Sequence, residues 1–74
     1  MKVSLKSTTK IVKLNGIPAR IWEGKTDSGI KIHVFITRIA VGEGEDQVQF
    51  QEELQECALP SPEVEKAYPL SMIL

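Results

Sequence analysis

The residues that could carry chemistry are few, and they form no catalytic pattern. The chain has one histidine, His33, and one cysteine, Cys57. A general base needs a partner group within hydrogen-bond reach, and His33 has no second histidine and no nucleophile at a recognisable spacing. One thiol cannot form an internal disulfide, and one thiol with one imidazole cannot complete a zinc site. The sequence therefore predicts a non-enzymatic protein with no catalytic residue, no metal and no cofactor.

A basic and aromatic set of residues is the stronger candidate for binding. These residues alternate along two predicted strands, and they are Arg20, Trp22, Lys31, His33 and Phe35. A guanidinium or imidazole beside aromatic rings can stack on bases and neutralise phosphates. The same pattern also describes a sheet face that packs on another subunit, with its lysines extending to the rim. We favour the subunit interface and keep nucleic acid or an anionic nucleotide as the alternative.

Two further segments are candidates for contact with a partner. The glutamates Glu52, Glu53 and Glu56 form an acidic stripe on a predicted helix, which is either solvated or opposes a basic surface by imitating phosphates. The apolar terminus carries Leu70, Met72 and Leu74. It is expected either to be an ordinary sheet strand or to add to the edge of a neighbouring chain.

The elements that position these residues begin with a predicted hairpin. Residues 8–14 are rich in β-branched side chains and run into Asn15-Gly16, a dipeptide suited to a two-residue loop because both positions can take positive φ. The loop predicts the pairs Leu14 with Ile17, Val12 with Ala19, Ile11 with Arg20, and Thr9 with Trp22.

A second hairpin admits two registers. A four-residue loop at 26–29 pairs Ile21 with Val34 and Trp22 with His33. It gathers eight aliphatic side chains of the three strands on one face, and they are Val12, Leu14, Ile17, Ala19, Ile21, Ile32, Val34 and Ile36. A three-residue loop at 27–29 with a bulge shifts the pairing by one residue and spreads the large side chains over both faces. The four-residue loop is favoured because it gives one coherent core face.

An amphipathic helix is predicted from Asp46 to about Ala58. Asp46 followed by Gln49 resembles a capping box. The apolar residues after it, Phe50, Leu54, Cys57 and Ala58, recur at helical spacing and are expected on the buried side that packs on the sheet. Pro60 ends the helix, and Ser61-Pro62 is expected to begin one more helical turn.

These elements predict one small α+β domain over residues 1–74. Its parts are an antiparallel β-meander of three to four strands at 8–41, one amphipathic helix packed on one face at 46–58, and a terminal strand or tail at 69–74, in the order ββ(β)αβ. A domain of 74 residues buries little of its surface, so an oligomer, most simply a homodimer, is expected.

Charge and composition limit the function classes. The chain through Val41 carries eight basic and two acidic residues, whereas one basic and eight acidic residues follow it. The oppositely charged parts are expected to attract each other within the fold or between subunits, or else to meet a charged partner. The single cysteine and the absence of a long apolar run favour a cytoplasmic protein with no membrane contact. We expect a protein that binds another macromolecule, with inhibition of that macromolecule as one outcome of binding, of the type found among small accessory proteins of phages and mobile elements.

Overall fold

The computed structural model describes residues 1–68, and it shows one open sheet with two short helices. The strands are β1 (Val3–Leu14), β2 (Ile17–Thr26) and β3 (Lys31–Ile36), and they form an antiparallel sheet in the order β1-β2-β3. The helices are α1 (Gln47–Leu54) and α2 (Pro62–Ala67). The predicted α+β class and three-stranded meander are confirmed. The predicted terminal strand, with Leu70, Met72 and Leu74, lies outside the described residues.

The first hairpin has the predicted loop and then departs from the predicted register. Asn15 and Gly16 both have positive φ, at 51° and 81°, and Leu14 stands opposite Ile17 as expected. Further along β1, three residues at 8–10 stand opposite Ile21 alone, so that Ser7 rather than Thr9 faces Trp22. This bulge has no signal in the alternation of apolar and polar residues.

The bulge is held by the side chain of Thr8. Its hydroxyl donates to the carbonyl of Ile21 at 2.7 Å and accepts from the N–H of Lys10 at 3.2 Å. Both Thr8 and Lys10 are buried. Since buried backbone polar groups need partners, the threonine hydroxyl replaces ladder hydrogen bonds that the extra residues interrupt.

The second hairpin has the three-residue loop, so the favoured four-residue loop was wrong. Thr26 and Ile30 close the loop, with the Thr26 N–H donating to the Ile30 carbonyl at 2.9 Å. The N–H of Gly29 donates to the Thr26 carbonyl at 3.0 Å, and Gly29 has a φ of 91°. A turn followed by a left-handed glycine is a favoured three-residue hairpin loop. Gly29 takes this conformation without the steric cost of a side chain.

The shorter loop changes which side chains share a face. Ile21 stands opposite Phe35, and Trp22 stands opposite Val34. We call one side of the sheet the core face; it carries Val12, Ala19, Ile21, His33 and Phe35. We call the other side the groove face; it carries Ile11, Arg20, Trp22, Val34 and Ile36. The prediction that Val34 and Ile36 share a face with Val12 and Ile21 was therefore wrong.

The core face is covered by α2 and not by the predicted helix at 46–58. Val64 of α2 is fully buried and packs with Val12 and Ile21. Tyr68 packs edge-on against Phe35, with ring centroids 5.3 Å apart. Ser61 caps α2 and Pro62 is its first residue, as the sequence predicted.

Helix α1 is shorter than predicted and has no buried residue. Its start is as expected, since the Asp46 carboxylate accepts from the N–H of Gln49 at 2.9 Å. It ends at Leu54 because the next residues bind the outer edge of β1. Ala58 pairs with Thr8 in a parallel bridge, with its N–H donating to the Ser7 carbonyl at 3.0 Å.

The segment between the helices thus carries the chain past the edge of β1, from the groove face to the core face. Cys57 lies in this segment, partly exposed and outside α1, so its predicted place on a buried helical face was wrong. The Ser7 hydroxyl lies 3.7 Å from its sulfur and donates to the Glu56 carbonyl at 2.9 Å. These contacts compete with continuation of the helix.

Candidate functional site

A groove lies between the groove face and α1. Its volume is about 420 Å³. The sheet contributes apolar side chains that include Ile11, Trp22 and Ile36, and α1 contributes Phe50 and Leu54. Because α1 buries none of its residues, its apolar side faces this groove without closing over it. The groove therefore presents apolar surface that a partner could cover.

The two walls of the groove carry opposite charges. Arg20 and Arg38 line the sheet side, whereas Glu53 lines the helix side. The guanidinium of Arg20 donates to the Thr8 carbonyl at 2.7 Å, which fixes it against the bulge of β1. Among the described residues, neither Arg38 nor Glu53 has an ion-pair partner within 4.0 Å. An occupant of the groove would thus meet positive charge on one side and negative charge on the other.

A second cavity of about 330 Å³ lies at the far end of the core face. Lys6, Lys25 and Lys31 line it together with Glu23 and Glu63. Lys25 stands directly opposite Lys31, and like charges in this position repel. Lys31 also lies 3.6 Å from Glu63, which offsets part of that repulsion. The cavity is therefore of mixed charge.

The reactive groups in this cavity, the carboxylate of Glu23 and the hydroxyl of Ser61, form hydrogen bonds that stabilise the fold. The carboxylate of Glu23 accepts from the hydroxyl of Ser61 at 2.5 Å and from its N–H at 2.9 Å. Burial acts to raise the pKa of Glu23, but the two Ser61 hydrogen bonds and the nearby His33 outweigh it and hold the pKa below its ordinary value. The hydroxyl of Ser61 also accepts from the Val64 N–H. A serine bound in this way caps α2 and is poorly placed as a nucleophile.

His33 lines the second cavity and also packs against Tyr68. Its Nδ1 is 3.4 Å from the Tyr68 hydroxyl, and the two rings meet edge-on with centroids 5.6 Å apart. This arrangement fits a histidine that packs within a sheet face and hydrogen-bonds to a neighbour.

The predicted basic and aromatic binding face does not exist as one surface. Arg20 and Trp22 lie on the groove face, whereas Lys31, His33 and Phe35 lie on the core face. The one-residue difference in the second hairpin explains the separation, because side chains alternate between the faces of a strand. His33 and Phe35 are further covered by Tyr68.

The acidic residues of the predicted helix are exposed. Glu52 and Glu53 lie in α1, and Glu56 lies just beyond it. In the part of the chain that the structure describes, the ion pairs are Lys10 with Glu65 and Lys31 with Glu63, and both acids belong to α2. The acids in and near α1 thus remain available to a partner, and their binding role stays a prediction.

The sequence analysis did not place Ile36, Arg38, Phe50 or Leu54 in a binding site. Phe50 and Leu54 were predicted to pack on the sheet, and their helical spacing was the available signal. The aliphatic residues of β3 were assigned to the core. Only the register shows that Ile36 stands opposite Arg20 on the groove face.

Comparisons with protein-family models, curated proteins and solved structures return no match. Neither helix within residues 1–68 is long and apolar enough to cross a membrane. The same residues contain no cluster of three or more His, Cys, Asp or Glu side chains that could hold a metal ion.

Proposed function

We propose that this protein is a non-enzymatic interaction protein that binds another protein chain in the groove between Trp22 and α1. The observation that carries the proposal is the groove itself, which combines apolar side chains on both walls with unlike charges at its borders. Such binding inhibits a partner when the residues that dock in the groove belong to the partner's own active or binding site.

The chemistry of the groove suits a protein segment. Aromatic and aliphatic anchors dominate specific protein interfaces, and tryptophan and arginine are enriched among the residues that contribute most. Trp22, Phe50 and Arg38 all line the groove. A volume of about 420 Å³ accepts a few side chains of a segment rather than a whole domain. The groups suited to catalysis, Glu23 and Ser61, are hydrogen-bonded to each other elsewhere.

Nucleic acid or an anionic nucleotide is the second candidate ligand. The observation in its favour is the direct opposition of Lys25 and Lys31, with Lys6 lining the same cavity. Glu23 and Glu63 line this cavity as well and would repel phosphate. No aromatic ring lines it for a base to stack on, apart from the imidazole of His33. The groove is therefore the better supported site.

A selection of random displayed peptides tests the proposal. The wild type is compared with Leu54→Arg, which places a cation in the groove, and with Val48→Arg, a matched control on the exposed side of α1 away from the groove. We expect enriched peptides to bind the wild type and Val48→Arg equally, and Leu54→Arg at least tenfold more weakly.

Two results would contradict the proposal. One is a failure to enrich peptides at concentrations low enough for the chain to be monomeric, and the other is a set of peptides that bind all three proteins equally. A labelled oligonucleotide whose affinity falls with salt and is unchanged by Leu54→Arg would support the second candidate instead.

A further inference from the structure

We infer that the chain which occupies the groove is a second copy of this protein, related to the first by a two-fold axis through the groove. The inference rests on the proposed binding groove and names its occupant. In this dimer, Arg38 of each copy contacts Glu53 of the other.

Charge complementarity carries the inference. Arg38 and Arg20 line one wall of the groove and Glu53 lines the other. A two-fold axis places the acidic wall of the second copy against the basic wall of the first. It also places the basic wall of the second copy against the acidic wall of the first. The contact is then isologous, with each pair made twice. The groove is complementary to itself, and a partner of one charge would match only one wall.

The distribution of charge along the whole chain acts in the same direction. Basic residues dominate through Val41 and acidic residues dominate after it. The two ion pairs found among the described residues use acids of α2 only. The acids in and near α1 face no cation within the described part of the chain at ion-pair distance. When two such chains approach each other in antiparallel orientation, the acidic helix of each copy lies near a basic strand of the other.

Apolar surface provides the attraction that charge alone does not. Ile11, Ile39 and Leu54 line the groove and are 50%, 39% and 38% exposed. Buried apolar residues, by contrast, amount to Val12, Ala19, Ile21 and Val64 among the described residues. A domain with so small a core gains stability when it covers such side chains in a dimer.

A charge-exchange experiment tests the inference. The mass of the full chain is measured by sedimentation across a wide range of concentrations, and heterodimers are identified by native mass spectrometry. We expect the wild type to be a dimer that weakens with added salt. Arg38→Glu alone and Glu53→Lys alone should each weaken the homodimer about tenfold or more, because each places like charges opposite one another twice.

The mixture of the two variants is the decisive measurement. Arg38→Glu mixed with Glu53→Lys should form a heterodimer near wild-type affinity, because both of its contacts then join unlike charges. The double variant in one chain should recover the homodimer for the same reason. An Arg38 to Glu53 pair formed within one chain predicts neither recovery by mixing nor a concentration-dependent mass.

Three results would overturn the inference: a monomer at every concentration, a dimer unaffected by either single substitution, and single-variant losses that neither mixing nor the double variant restores. Circular dichroism of each variant establishes that its fold is retained. A monomer whose groove still enriches displayed peptides would refute the second copy as occupant and leave the proposed function standing.

Discussion

The hydrogen bonds between Ser61 and Glu23 join α2 to the sheet, and removing the Ser61 hydroxyl should loosen that junction. The hydroxyl donates to the Glu23 carboxylate and accepts from the N–H of Val64, so it links β2 to the first turn of α2. Ser61→Ala removes both contacts. Val64, which α2 presents to the core, would then be held less firmly against Val12 and Ile21.

The magnitude follows from the two contacts. An N-cap hydroxyl contributes about 1 kcal/mol. A hydrogen bond to a charged group contributes roughly 1.5–3 kcal/mol when buried, which we reduce to about 1 kcal/mol because Glu23 is partly exposed and water screens its charge. Ser61→Ala should therefore lower the free energy of unfolding by about 2 kcal/mol, which lowers Tm by roughly 10 °C in a domain of this size.

Urea unfolding followed by the fluorescence of Trp22 measures this loss. Ser61→Thr is the matched control, since it keeps a hydroxyl at the cap and should stay within about 0.5 kcal/mol of the wild type. Glu23→Gln completes a double-mutant cycle with Ser61→Ala. The coupling energy should be about 1 kcal/mol, because the charged hydrogen bond exists only when both residues are present.

Dependence on pH gives a second reading of the same contact. The folded pKa of Glu23 lies below its ordinary value, so its contribution is complete above the unfolded pKa of about 4.3 and is lost as the pH falls through the lower folded pKa. The stability difference between wild type and Glu23→Gln should therefore shrink in acid. Additive single-variant effects, or a difference independent of pH, would refute this account of the junction.

Two pairs of substitutions test contacts made by β1. Gly24→Ala should destabilise by more than about 3 kcal/mol in urea unfolding, because an added Cβ would overlap the carbonyl oxygen of Ser4. Gly42→Ala should have little effect, because its added Cβ meets only the Glu45 side chain at an ordinary contact distance of 3.7 Å. Glu65→Gln should cost about 1 kcal/mol because it leaves the Lys10 ammonium, 7% exposed, without its partner at 3.6 Å, whereas Lys10→Met should be nearly neutral. A larger loss for Lys10→Met than for Glu65→Gln would contradict this.

Local signals predicted the first hairpin loop and the helix caps better than the sheet faces. Asn15-Gly16, the Asp46 cap and the Ser61 cap depend on backbone geometry within a few residues, and each is present in the structure. The register of the second hairpin depends on what covers the sheet. The assumption that one face is apolar and the other wet fails here, because α2 covers one face and α1 borders the other.

The candidate site was predicted only in part, because its residues also depend on which elements lie over each face of the sheet. Arg20 and Trp22 were singled out as binding residues, and both line the groove. Their partners in that groove come from α1, and nothing in the sequence states on which face a short helix will lie. The bulge that holds Arg20 through the Thr8 carbonyl also had no precursor in the sequence pattern.

The bridge between Ala58 and Thr8 has a consequence for aggregation. It occupies the outer edge of β1 at the bulge, where the regular ladder is already interrupted, so a foreign strand finds no continuous row of free backbone groups there. Within residues 1–68 the outer edge of β3 carries no such bridge. A foreign strand would therefore pair more readily with β3 than with the middle of β1.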